Sequence, residues 1–154
     1  MKTIASFFCA FALAAATAAP AAEGPYNESA DAKADIRAAL EAGRASRTPV
    51  LVVFGANWCG DCKMLDTAMK TGKSAPLIAR EFRVVKVDVG KFDRNVDIAE
   101  TYGVPLKQGI PAVVILSPEG KAVFATRAGE LADARKMGED GVYAFFTQAL
   151  STPR

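Results

Sequence analysis

One stretch constrains this chain more than any other: Phe54-Gly55-Ala56-Asn57-Trp58-Cys59-Gly60-Asp61-Cys62-Lys63. It follows Val50-Leu51-Val52-Val53, a short β-branched run of the kind that forms a fully buried strand. After it, Lys63-Met64-Leu65-Asp66-Thr67-Ala68-Met69 places apolar residues at helical spacing. Two cysteines separated by two residues at a strand-to-helix junction form a dithiol redox motif. At a helix N-terminus the first amide N–H groups are unsatisfied and the macrodipole is positive, so a thiolate at Cys59 is stabilised there. Cys62, one turn on, is placed to attack a mixed disulfide formed at Cys59. The competing reading is a purely structural bridge. Closing so small a loop removes little chain entropy, which makes it a poor staple.

The residues Ala56-Asn57-Trp58-Cys59-Gly60-Asp61-Cys62-Lys63-Met64 resemble the thioredoxin superfamily, more narrowly its small secreted bacterial members. Tyr102-Gly103-Val104-Pro105 and Gly109-Ile110-Pro111-Ala112 resemble the second signature of that family, a loop with a cis-proline facing the cysteines. The resemblance runs from about Thr48 to Leu150. It implies that Pro111 is cis, that backbone beside it pairs with the substrate segment, and that Trp58, Gly60, Ile110 and Pro111 form the surface meeting the substrate. Without the resemblance, a trans proline entering an edge strand would be an equal reading of Pro111. Ile110 resembles the residue found there in reducing thioredoxins. Trp58 reads as an exposed aromatic rim over the dithiol.

Composition excludes several other chemistries. The 154 residues contain no histidine, so there is no imidazole base, no Ser-His or Cys-His pair and no histidine metal ligand. Of three cysteines, Cys9 falls in the leader described next, and two thiolates alone make a poor zinc or copper site. No cofactor is expected, since the electrons would reside in the Cys59–Cys62 sulfurs. A net charge of +2 without a lysine or arginine run gives no basis for nucleic-acid binding.

The chain opens with Lys2, an apolar run from Ile4 to Ala16, and the small-residue site Ala16-Thr17-Ala18, with Ala19-Pro20-Ala21 as a second candidate. This is the pattern of a secretory signal peptide over residues 1–18, with cleavage as late as 21. The run is short for a bilayer span, which sets the alternative of an uncleaved anchor second. Cys9 lies inside the apolar region and does not resemble a lipoprotein acylation site. Residues 19–28, rich in Ala, Pro and Gly, are expected to be flexible, and residues 29–152 to form one domain. The mature protein is expected in a bacterial periplasm, monomeric and without stable membrane insertion.

Patterning gives the element order α-β-α-β-α-β-β-α. A helix starts at Ser29 as N-cap and turns Ile36, Ala39, Leu40 and Gly43 to one face, and Thr48-Pro49 ends it. Val50–Phe54 is a strand, Gly60–Met69 the helix after the cysteines, and Ser74 caps a second helical segment from Ala75 to Phe82. Val84–Val89 is a strand, and Asp93 caps a short helix to Tyr102 ended by Gly103. Ala112–Leu116 and Lys121–Thr126 form a hairpin, Arg127–Lys136 reads as a polar loop, and Val142, Phe145, Phe146, Ala149 and Leu150 mark a closing amphipathic helix. The fold class is α/β, with a central mixed β-sheet flanked by helices on both faces, in agreement with the thioredoxin-like fold that the resemblance implies.

The departures from the family are informative. Thioredoxins proper carry a buried acid in the strand before the motif as proton acceptor for the second cysteine; here that position is Val53. The usual proline between the cysteines is Asp61. A carboxylate so close is expected to raise thiolate pKa values against the helix dipole, giving a weaker oxidant, and to offer another proton shuttle. Lys63 reads as a solvated helix residue. Lys86, on a strand beside Val50–Phe54 and near where family members carry a lysine, is a second candidate for tuning the thiols. Extra residues around Leu106-Lys107-Gln108 in the cis-proline loop read as a partner-recognition feature or a tolerated insertion.

These readings imply a periplasmic thiol-disulfide oxidoreductase working mainly as a reductant on protein thiols and disulfides, in exported proteins or apocytochromes. In an oxidising compartment it would need a membrane thiol-disulfide electron donor. A disulfide-forming oxidase ranks second, because thioredoxin-like oxidases carry a sizeable helical domain before the cis-proline and this chain has only a short helix. A binding or chaperone module with idle cysteines ranks third.

Overall fold

The computed structural model describes residues 24–151. The leader over residues 1–18 and its cleavage site lie outside the described residues. In chain order the elements are α1 (Ala32–Ser46), β1 (Val50–Gly55), α2 (Gly60–Lys70), α3 (Ser74–Glu81), β2 (Arg83–Asp88), α4 (Val96–Thr101), a 3-10 turn (Leu106–Gln108), β3 (Ala112–Leu116), β4 (Ala122–Ala125) and α5 (Ala134–Ser151).

The sheet order is β2-β1-β3-β4, with β1 parallel to β2 and antiparallel to β3, and β3 antiparallel to β4. This is the expected mixed sheet. All six residues of β1 are buried, as its unbroken apolar run requires of a central strand covered on both sides. Side chains alternate across it. Val50, Val52 and Phe54 join a core with Ile36 of α1 and Ile98 and Ala99 of α4. Leu51 and Val53 join a second core with Leu65 and Met69 of α2, Ile78 of α3, and Val142 and Phe146 of α5. The site therefore stands where β1 ends between two packed layers, on a backbone held from both faces.

Several element ends differ from the sequence expectation. Asp31, not Ser29, caps α1: its Oδ1 accepts the Ala34 N–H at 2.9 Å, while Ser29 Oγ donates to Asn27 Oδ1 at 2.8 Å in the preceding turn. Ser74 lies inside α3 and is buried; Lys73 holds the cap position without a side-chain bond. Asp93 precedes α4 by a turn, its Oδ1 accepting the Lys91 N–H at 2.9 Å, and left-handed Asn95 (φ 52°) starts the helix. The polar stretch 127–136 is not wholly loop, because α5 begins at Ala134 and runs through a break at Gly138 (φ 65°).

The N-terminal segment departs furthest. Tyr26, within the stretch expected to be flexible, is 1% exposed and packs into the core with Ala56, Cys59 and Cys62. Its N–H donates to Asn57 Oδ1 at 3.0 Å, and Asn57 Nδ2 donates back to the Tyr26 carbonyl at 2.8 Å. One aromatic ring among small residues escapes a composition average yet dominates the segment's burial energy.

Candidate active site

The chain leaves β1 at Gly55, turns through Ala56–Trp58 with the Cys59 N–H donating to the Ala56 carbonyl at 3.2 Å, and enters α2 at Gly60. Cys59 is the N-cap: its backbone is extended (φ −81°, ψ 113°) and its sulfur accepts the Cys62 N–H at 3.1 Å. A sulfur so placed satisfies one of the unpaired amides of the first turn, which is where a thiolate gains most from the helix. Cys59 and Cys62 are joined in a disulfide across a Cα–Cα distance of 5.2 Å. Cys59 is less open than its position implied: it is 6% exposed against 0% for Cys62, and the Ile110 carbonyl approaches its sulfur. It remains the more accessible of the two.

The structure brings Ile110 and Pro111 to this sulfur. The Ile110–Pro111 peptide is cis, and the Ile110 carbonyl oxygen lies 3.7 Å from Cys59 Sγ. Trp58 is 57% exposed, its Nε1 donates to the Gly90 carbonyl at 2.7 Å, and its ring meets Phe92 edge-on at 6.2 Å. Phe92, 46% exposed, was missed in the sequence; a lone phenylalanine among Lys91, Asp93 and Arg94 was the available signal. A groove lined by Phe92, Val96, Leu106, Lys107 and Gly109 runs on from it. The Leu106–Gln108 insertion is a 3-10 turn whose Leu106 is anchored in the core, so only Lys107 and Gln108 are free to meet a partner.

The charged candidates are placed differently from expectation. Asp61 is not an uncompensated charge beside the sulfurs. Arg135 Nη2 donates to its Oδ2 at 3.0 Å and the Arg135 backbone N–H to its Oδ1 at 2.9 Å. The Arg135 side-chain hydrogen bond holds the Asp61 carboxyl below its ordinary range, which favours its ionised form. The same guanidinium lies against Gly60, where a Cβ would come within 3.4 Å of it. Lys86 does stand beside β1, in register with Val53, but its ammonium is paired with Asp66 of α2, which also accepts from Lys70 Nζ at 2.9 Å. Burial lowers the Lys86 pKa, yet its charge is committed to Asp66 rather than to the thiols. Lys63 is exposed, as read. Among the described residues no three His, Cys, Asp or Glu side chains gather to hold a metal ion.

Comparison with known proteins places these features in context. Residues 31–118 match the family model described as thioredoxin-like. The chain is 40% identical over 76 residues to Thioredoxin 1 of Chlorobaculum tepidum, a match covering 47% of this chain and 63% of that protein. It is 41% identical over 70 residues to a thioredoxin of Griffithsia pacifica, covering 46% and 57%. The chain thus spans about six-tenths of the length of these curated relatives. A solved structure described as a disulphide isomerase from Xylella fastidiosa Temecula1 is 48% identical with a TM-score of 0.81, covering 85% of this chain and 100% of that one.

Proposed function

As the chain belongs to the thioredoxin-like family, we propose that it is an exported thiol-disulfide oxidoreductase that reduces disulfides through Cys59 and Cys62. Cys59 thiolate attacks one sulfur of a substrate disulfide, forming a mixed disulfide and releasing the first substrate thiolate. Cys62 then loses its proton and attacks Cys59 Sγ. The Cys59–Cys62 bond forms and the second substrate thiolate leaves, so two electrons pass to the substrate. A dithiol donor at the membrane then reduces the Cys59–Cys62 disulfide and is itself oxidised to a disulfide, since an oxidising compartment has no soluble reductant pool to do so.

The observation that carries this reading is the Cys59 sulfur at the N-terminus of α2, set against the Ile110 carbonyl and the neighbouring cis-proline loop. The cis-proline loop leads directly into β3 beside the disulfide, which suits an extended substrate segment, and Trp58 and Phe92 supply an aromatic rim. Export is supported by the leader pattern of the first 18 residues. The reducing direction is supported by Ile110 and by the short span between β2 and the cis-proline, which holds only α4 and a 3-10 turn. Exported proteins with incorrect disulfides and apocytochromes are the substrates it would serve.

The test is the reduction potential of the pair, by equilibration against glutathione with Trp58 fluorescence as the readout. A value of roughly −250 mV or below is expected, and one near about −120 mV would make the protein an oxidase. A pair with no reversible couple would leave a binding module.

A further inference from the structure

With Val53 in place of the strand acid and Asp61 and Lys86 each paired with an opposite charge, none of these three positions offers Cys62 an uncommitted proton-handling group. A different group shares the space beside Gly55 with its sulfur. Gly55 ends β1 without a side chain, and a Cβ built there would overlap the Tyr26 hydroxyl and lie 3.0 Å from Cys62 Sγ. The hydroxyl and the sulfur therefore both reach into the space that a side chain at residue 55 would need, and glycine alone leaves it to them. The ring is seated by packing into the core and by the two hydrogen bonds between Asn57 and the Tyr26 backbone, one in each direction, so the hydroxyl is held by a fixed frame.

We propose that the Tyr26 hydroxyl donates a hydrogen bond to Cys62 sulfur when the pair is reduced, holding the resolving cysteine as the thiolate that attacks Cys59. A hydrogen bond to the charged form favours that form, and one from a buried donor is worth more than one in water. The phenol is suited to donate and unsuited to compete for the proton: burial first, and the Asp88 carboxylate second, push its own pKa far above the ordinary value. The titratable groups facing Cys62 are then Cys59 on α2 and Tyr26 on the N-terminal segment. Asp88 at the end of β2, Asp61 with Arg135 at the helix start and Asp66 with Lys86 further along complete the surroundings. In the chemical step the Cys62 proton goes to solvent, the Cys62–Cys59 bond forms, and the bond from Cys59 to the substrate breaks with its electron pair on the leaving thiolate.

The inference rests on reading the pair as an exchange centre, and its test is separable from that reading. Reduced protein reacted with an aromatic disulfide reagent releases one coloured thiolate when Cys59 attacks and a second when Cys62 resolves. In Tyr26→Phe, which keeps the ring and its packing, the second phase is expected to have its pH midpoint raised by about one unit. Its rate at neutral pH should fall roughly threefold, since a more basic thiolate is scarcer but more nucleophilic. The first phase should stay within about twofold. An unchanged second phase and midpoint in a variant that unfolds like the wild type would overturn the proposal. The Cys62 midpoint read from ultraviolet thiolate absorbance in Cys59→Ala, with and without Tyr26→Phe, needs no exchange activity. There the same upward shift is expected, and its absence refutes Tyr26 even if the chain proves to be no oxidoreductase.

Discussion

Removing Arg135 isolates the electrostatics of the attacking cysteine. In Arg135→Ala the Asp61 carboxylate keeps its backbone anchor, the 2.9 Å bond from the residue 135 N–H, so it stays in place while losing its counter-charge. The Arg135 side chain is 69% exposed and that of Asp61 15%, which sets the problem close to the aqueous limit. If about 7 Å is taken for a carboxylate two residues along the chain from the sulfur, with an effective dielectric of about 60, the charge is worth ~0.8 kcal/mol, or about half a pKa unit. The Cys59 thiolate pKa should rise by that amount, and above both values the couple should become about 15 mV more reducing. The assay is the pH dependence of Cys59 alkylation in the reduced protein. Asp61→Asn should shift the midpoint down by a similar amount, and the double variant should return close to wild type. At about 1 M salt most of each shift should disappear, because charges this exposed are screened. An Arg135→Ala midpoint that stays put or falls, or an Asp61→Asn midpoint that rises, would refute the claim that this pair cancels at the thiol.

Two further outcomes follow from the same contacts. Asn57→Ala strips the 3.0 Å and 2.8 Å hydrogen bonds that hold the Tyr26 backbone, and should cost about 2 kcal/mol. That is roughly 8 °C in thermal midpoint for a domain of this size, and a loss under about 2 °C would mean the segment is held by other contacts. Because Arg135 depresses the Asp61 pKa, the stabilisation from this pair is complete above the ordinary 3.8 and is lost as pH falls through the depressed value. The stability gap between wild type and Asp61→Asn should therefore persist down to about pH 4 and close below it. Closure already above about pH 5 in denaturant titrations would contradict the depressed pKa.

What the sequence disclosed was local. The apolar run Val50–Phe54, the helical spacing after Cys62 and the hairpin around Gly120 each write their structure within a dozen residues, and β1, α2, β3 and β4 stand about where patterning puts them. Helix starts were less legible because Ser29, Ser74 and Asp93 each lie within three residues of the actual cap, and cap chemistry cannot choose among neighbouring candidates before packing fixes the first turn. The partners of the charged residues were not legible at all. Arg135 is 74 residues from Asp61, and Asp66 reaches Lys86 from a helix onto a strand, so neither pair leaves a periodic trace. Tyr26 was hidden by its surroundings, whose Ala, Pro and Gly content describes the backbone but not the one ring that docks.

These unread contacts change how the site works. From the sequence, Asp61 and Lys86 were opposing charges acting on the thiols, and Asp61 supplied the argument for a weak oxidant. In the structure each is matched, Asp61 by Arg135 and Lys86 by Asp66, so the net charge brought to the sulfurs by side chains is small. What remains directed at them is neutral: the first amides of α2, one of which already meets Cys59 Sγ, and the Tyr26 hydroxyl beside Cys62. Hydrogen bonds between buried groups act at contact distance and are screened less than exposed charges. The balance between the two thiols should then respond little to salt in the wild type and strongly to any substitution that unpairs Asp61 or Lys86. A chain that has replaced the strand acid by Val53 keeps its dithiol chemistry by holding each thiolate with hydrogen bonds, and Gly55 is the opening that lets the second of those bonds reach its sulfur.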